Sequence, residues 1–265
     1  MFQVTEFFND IGLPLVPPNI KPILLWAVFF ILTDKVSRIF QPLLTRTPSK
    51  SLSHRAKVNW GSHVVSQIHA CTLVYSVIVL MRSGSFVDPI NDFTPEFFSL
   101  ANFSTGFFIY DLYCCVTEFA IFGTLFFIHS IFALAGLSLV YRPMFSYFIM
   151  AGFTFEASTI FLNGVWFCDK LGYSNSIVQL FNGIGLVISF FGVRIVYGYI
   201  AFYRVLKLLF ANSSTLPPFV FYSSVCIIFV SLSLNTFWFY KIIAAFSRRF
   251  SGSSKPVAEA EKKSN

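Results

Sequence analysis

Stretches of apolar residues separated by short polar segments occupy most of the chain, at positions 18–34, 61–81, 102–117, 119–140, 144–168, 176–203 and 217–246. A helix crosses the hydrocarbon of a bilayer with about 20 apolar residues, and these seven runs approach or exceed that length. The pattern predicts an all-α fold, a polytopic membrane helix bundle of about seven transmembrane helices. The third run is the weakest, because Asp111 interrupts it and almost nothing separates it from the fourth. A re-entrant hairpin over 102–140 is the alternative to two full spans.

Composition narrows the class further. Of 265 residues, 55% are hydrophobic, 19% aromatic and only 12% charged, about half the charge a soluble domain needs to cover its surface. The formal net charge is +7, but the basic residues flank apolar runs and form no aromatic-interleaved patch. They are read as topology signals and anionic-lipid contacts, with no nucleic-acid partner. Cys71, Cys114, Cys115, Cys168 and Cys226 lie inside or beside apolar runs without paired spacing, so neither a disulfide framework nor a zinc site is expected. Glu6 and Asp10 stand where a secretory leader carries basic residues, and the first apolar helix is expected to act as an uncleaved signal anchor.

Positively charged loops stay cytosolic. Lys35, Arg38, Arg46, Lys50, Arg55 and Lys57 crowd the first loop, whereas the second carries Asp88, Asp92 and Glu96 against Arg82. The N-terminus is therefore expected in the lumen and, after seven crossings, the C-terminus in the cytosol, where Lys241, Arg248, Arg249 and Lys255 follow the last run. Arg204 and Lys207 run against this scheme. Two glycosylation acceptor patterns, Asn102-Phe-Ser104 and Asn212-Ser-Ser214, fall on its lumenal side. Asn102 lies too close to the membrane for use, which leaves Asn212 as the candidate.

The chain divides into a lumenal N-terminus (1–17), a first helix with its basic cytosolic loop (18–54), a membrane core (55–205), a loop with the last helix (206–250) and a polar tail (251–265) expected to be disordered. Lys262 and Lys263, at the fourth and third positions from the end, resemble the dilysine retrieval signal of endoplasmic-reticulum membrane proteins. That is an address read by coat-protein retrieval machinery.

Charge inside a membrane helix costs about 2.5–3.5 kcal/mol on insertion scales, so each such residue asks for a partner or a use. The set is His69, Asp111, His129, Glu156 and Arg194, on helices two to six. His63, Ser66 and His69 recur every three residues on one side of helix two, and Asn163 shares a face of helix five with Glu156 and Thr159. One reading has these side chains converge on a polar cavity, with a carboxylate orienting a histidine and Arg194 binding an anion. The other pairs Arg194 with Asp111 or Glu156 as structural glue. The histidines lack compact metal-ligand spacing, so no metal and no cofactor is expected. Gly183 and Gly185 suit close helix packing, and Trp26, Trp60, Trp166 and Trp238 suit interfacial anchors near helix ends.

The stretch Asn59-Trp60-Gly61-Ser62-His63-Val64-Val65-Ser66-Gln67-Ile68-His69-Ala70 resembles the opening motif of the TLC domain, shared by translocon-associated, longevity-assurance and ceroid-lipofuscinosis membrane proteins. Matches follow in order: Gly106 with Tyr110-Asp111-Leu112, His129, then Phe155-Glu156-Ala157-Ser158-Thr159 with Phe161, Asn163 and Trp166, and finally Asn182-Gly183, Phe190-Phe191 and Arg194. The likeness covers roughly residues 55–205 and is nearest to small TLC-domain proteins without an attached soluble domain. It implies an endoplasmic-reticulum protein of lipid homeostasis that binds, senses or moves a membrane lipid, with His69, Asp111, His129, Glu156, Asn163 and Arg194 as lipid-binding candidates. Ceramide synthases of this family carry adjacent histidines followed by two nearby aspartates. Here Ile128 precedes His129, and Glu156 and Ser158 stand where aspartates are expected. Sphingoid-base N-acyl transfer from acyl-CoA, with His129 as base and Asp111 as its orienter, is thus the enzymatic alternative, and a cargo receptor for secretory proteins is a third.

Overall fold

Ser53, Thr94 and Ser176 each precede an apolar run, and each hydroxyl accepts a backbone N–H at a helix start, from Ala56, Phe97 and Gln179. Such caps satisfy donors that the first turn leaves without carbonyl partners. The computed structural model describes residues 2–46, 51–83, 94–142 and 146–250, and no strand occurs among them. In chain order the helices are α1 (Phe2–Asp10), α2 (Val16–Thr45), α3 (His54–Arg82), α4 (Pro95–Thr117), α5 (Phe119–Ser138), α6 (Ser146–Phe153), α7 (Glu156–Lys170), α8 (Ile177–Ser189), α9 (Gly198–Ala211) and α10 (Pro218–Phe250). A π-helical segment, Phe190–Tyr197, joins α8 to α9 without a break. The dilysine pair lies outside the described residues.

The fold is a polytopic helical bundle. By length and composition, four helices are able to cross a membrane: His54–Arg82, Phe119–Tyr141, Ile177–Ala211 and Pro218–Arg248. The remaining expected spans fall on α2, α4 and the pair α6–α7. Lys21, Asp34, Lys35 and Arg38 dilute α2, although its 30 residues reach about 45 Å at 1.5 Å per residue. The 23 residues of α4 reach about 35 Å but carry Asn102, Ser104 and Thr105, all buried. The fifth run, expected as one span over 144–168, is two pieces of 8 and 15 residues. Thr154 breaks it by turning its hydroxyl back onto the Ala151 carbonyl at 2.6 Å. Between α4 and α5 the chain reverses at Glu118, and Gly123 takes a left-handed φ of 74°. The 102–140 region is therefore two helices packed side by side.

Close packing sets the frame. A Cβ on Gly106 would stand 2.5 Å from Trp26 Cβ and 2.8 Å from the Ala27 backbone nitrogen, so only glycine admits this approach of α4 to α2. One on Gly61 would overlap the Asp34 carboxylate, which Arg38 grips twice, at 2.9 Å through Nε and 2.8 Å through Nη2. Gly185 lets Phe161 of α7 lie against α8, as its small size suggested; a Cβ on Gly183 would meet only the Phe246 ring, at 3.7 Å. Trp60 is no interfacial anchor: it is buried at 2% exposure and donates from Nε1 to the Ser37 carbonyl oxygen at 3.1 Å. Asn102 is equally internal, hydrogen-bonded to Asn19 at 2.7 Å and to the Tyr141 hydroxyl at 2.9 Å.

The connections sort to two ends. At one, Leu15 N–H donates to the Tyr141 carbonyl, Arg142 Nη1 donates to the Gly12 carbonyl, and Gly12 also faces Pro217 and Val220. At the other, His54 Nε2 pairs with Glu118 Oε2 at 2.8 Å, joining the start of α3 to the α4–α5 reversal.

Candidate functional site

The broken fifth helix and the widened sixth decide where charge sits inside the bundle. Because the helix restarts after Phe155, Glu156 becomes the first residue of α7, where exposed N–H groups and the helix dipole favour a carboxylate. Arg194 lies in the π segment, a wide turn of a kind that recurs at functional sites.

Arg194 is 9% exposed and cradled by neutral oxygens. Its Nε–H is shared between Ser158 Oγ at 2.9 Å and the Phe155 carbonyl oxygen at 3.3 Å. Nη2 donates to Thr159 Oγ1 at 3.2 Å and Nη1 to Asn235 Oδ1 at 3.4 Å. The rings of Phe155 and Phe190 face the guanidinium carbon at 5.6 and 5.2 Å. A guanidinium has five N–H donors, so one on Nη1 and one on Nη2 are left over. Arg194 forms no ion pair among the described residues; the Thr159 hydroxyl stands between it and Glu156.

Two cavities meet at this point. The larger, about 640 Å³, is lined by polar groups of α3, α4 and α7, among them Ser62, His63, Ser66, Asp111 and Asn163, with Asp169 and Lys241 at its outer end. The smaller, about 190 Å³, is mostly apolar, with Leu73, Leu137, Ile149, Phe153 and Ile228 in its wall. Phe108, His129, Glu156, Arg194 and Trp238 line both. The larger cavity has the size of small-molecule sites, roughly 300–1,000 Å³.

Five of the six residues singled out from sequence line these cavities, and they are held differently. Asp111 Oδ2 accepts from Ser130 Oγ at 2.5 Å, and no hydrogen bond joins it to His129. The His129 ring packs edge-on to Trp238 at 4.9 Å and has no hydrogen-bond partner among the described residues. Asn163 is 1% exposed; its Oδ1 meets His63 Nδ1 at 2.8 Å and its Nδ2 donates to Ser66 Oγ at 3.2 Å. His69 is the exception. It is fully buried behind the cavity wall, stacked on Phe107 at 3.7 Å, bonded to Ser104 at 3.1 Å and 3.9 Å from the Glu156 carboxylate. Asn212 lies elsewhere, at the end of α9, with Nδ2 on the Leu208 carbonyl at 2.9 Å. No group of metal-ligating side chains gathers among the described residues.

Sequence reasoning placed His63 on the polar side of helix two and passed over two further groups. His63, clamped by Asn163 and stacked on Trp166 at 4.0 Å, was visible as the first of the i, i+3, i+6 polar positions. Asn235 brings a polar group of the last helix into the interior, beside the charged set that the sequence located on helices two to six. Asp34 with Arg38 does the same for the first; its signal was the i, i+4 spacing of opposite charges.

The sequence model of the TLC domain matches residues 59–244. An uncharacterized TLC domain-containing protein of Schizosaccharomyces pombe is 31% identical over 257 residues, covering 95% of this chain and 87% of its own. The Saccharomyces cerevisiae protein called topoisomerase I damage affected protein 4 is 31% identical over 71% of this chain and 69% of its own. TLC domain-containing protein 4-B of Xenopus laevis is 33% identical over 54% and 57%. No solved structure matches the chain.

Proposed function

The chain belongs to the TLC-domain family, and from that premise we propose that it binds, senses or moves a membrane lipid in endoplasmic-reticulum lipid homeostasis. The observation that carries this reading is Arg194. A cation inside a bundle, fixed by neutral acceptors and left with two N–H groups unused, suits a bidentate oxyanion such as a lipid phosphate. Its position between a polar cavity and an apolar one matches the two halves of a lipid. The headgroup occupies the larger chamber and hydrocarbon the smaller.

Acyl transfer finds less support in the geometry. A base and its orienter need a hydrogen bond, and the Asp111 carboxylate accepts from the Ser130 hydroxyl instead. The same reading takes the Lys262–Lys263 tail as cytosolic and read by the coat-protein retrieval machinery, with the N-terminus in the lumen.

The test is lipid mass spectrometry on the purified chain. Arg194→Gln should lower the co-purified phospholipid by about tenfold or more, the scale of a lost charge-assisted hydrogen bond. His129→Ala should change the species retained. Unchanged lipid in both folded variants refutes the proposal. Product formation from acyl-CoA and a sphingoid base, abolished by His129→Ala, would replace it with the enzymatic reading.

A further inference from the structure

The larger chamber holds a second charge without an ionic partner, and it has the opposite sign. Asp111 rests on the Ser130 hydroxyl alone and forms no ion pair among the described residues. It lines the same chamber as Arg194, yet the two are anchored apart. Asp111 is tied to α5, whereas Arg194 is tied to α7 and α10. At the outer end Asp169 and Lys241 balance each other in sign. Glu156 faces Arg194 across the Thr159 hydroxyl. The chamber's five charged side chains are three acids and two bases, so its net charge is −1.

Buried charges require a counter-charge or strong hydrogen bonds. An anionic headgroup on Arg194 leaves Asp111 unmatched and repelled. A polyanionic carrier is worse placed still, in a chamber that already has more acid than base. A headgroup with a phosphate and a cationic amine matches both residues at once. Resting on the lipid-binding reading above, we propose that the larger chamber selects zwitterionic phospholipids, with phosphate at Arg194 and ammonium at Asp111. Both a primary ammonium and a choline carry this chemistry.

The full chain, purified in detergent, is offered an equimolar mixture of phosphatidylethanolamine, phosphatidylcholine, phosphatidylglycerol and phosphatidic acid with identical acyl chains, and native mass spectrometry reads what is bound. The zwitterions together should exceed the two anionic lipids by about tenfold, the scale of one charge-assisted contact; their ratio to each other tells the ammonium from the choline. Asp111→Asn keeps an oxygen for Ser130 and removes the charge, and should bring the preference to within about twofold by weakening the zwitterions. Asp111→Glu, which keeps the charge, should retain the preference. Equal binding of phosphatidylglycerol by the wild-type chain, or an unchanged ratio in Asp111→Asn, overturns the pairing while leaving lipid binding intact. An absence of any bound lipid overturns both readings. The wild-type ratio alone decides the matter if the variants fail to fold.

Discussion

At the scale of single residues, the site rests on how one cation is held. Four neutral oxygens fix the Arg194 guanidinium, and hydrogen bonds to a charged group contribute about 1.5–3 kcal/mol each. Ser158→Ala combined with Thr159→Val removes two of those acceptors without touching Arg194. The expected result is a lipid dissociation constant raised about tenfold, measured by titrating a fluorescent phospholipid into the purified chain. An unchanged constant would mean that the cradle does not position the charge. Arg194 could be picked out in the sequence because a charge in an apolar run is costly wherever it points. Its partners were hidden, because serine, threonine and asparagine carry no comparable insertion signal. His69 shows the converse: its polarity marked it, but its ring is packed behind the wall, stacked on Phe107 with Nε2 at the Ser104 hydroxyl, while Nδ1 has no hydrogen-bond partner among the described residues.

At the scale of helices, hydropathy placed each long run on a helix, since burying backbone polar groups in lipid leaves no other choice. Local departures from a regular helix escaped it. The break at Thr154 depends on a hydroxyl returning to a carbonyl, and the π segment leaves no gap in the apolar pattern at all. The wide turns matter because they set the direction of Arg194 within an otherwise continuous 35-residue helix. Deleting Gly192, around which an added Cβ would meet nothing within 4 Å, should restore regular turns and rotate Arg194 by about 100° relative to α8. The variant should elute as a folded monodisperse protein with a melting temperature within about 5 °C of wild type, yet bind as little lipid as Arg194→Gln. Full retention of lipid would show that the π segment is incidental to the site.

For the whole molecule, the two ends of the bundle give the charge asymmetry of the loops a consequence for lipid entry. The segment around Gly12, the Tyr141–Arg142 corner and the α9–α10 connection meet at one end, while His54 and Glu118 meet at the other. The larger chamber, with Asn59 and Ser62 of α3 and Asp169 of α7 in its wall, lies towards the His54 end, and the apolar chamber, with Leu137 and Leu139, towards the Gly12 end. If the basic loop between α2 and α3 is cytosolic, a headgroup enters from the cytosolic leaflet and the tails reach towards the lumen. Asn212, at the Gly12 end, should then acquire a glycan that glycosidase removes and Asn212→Gln abolishes. Asn102 should acquire none, because it is enclosed by Asn19 and Tyr141. A sequon engineered beside Lys50 should stay unmodified. Glycan there, with none on Asn212, would invert the bundle and make the lumenal leaflet the source of the lipid, leaving the geometry around Arg194 and Asp111 unchanged.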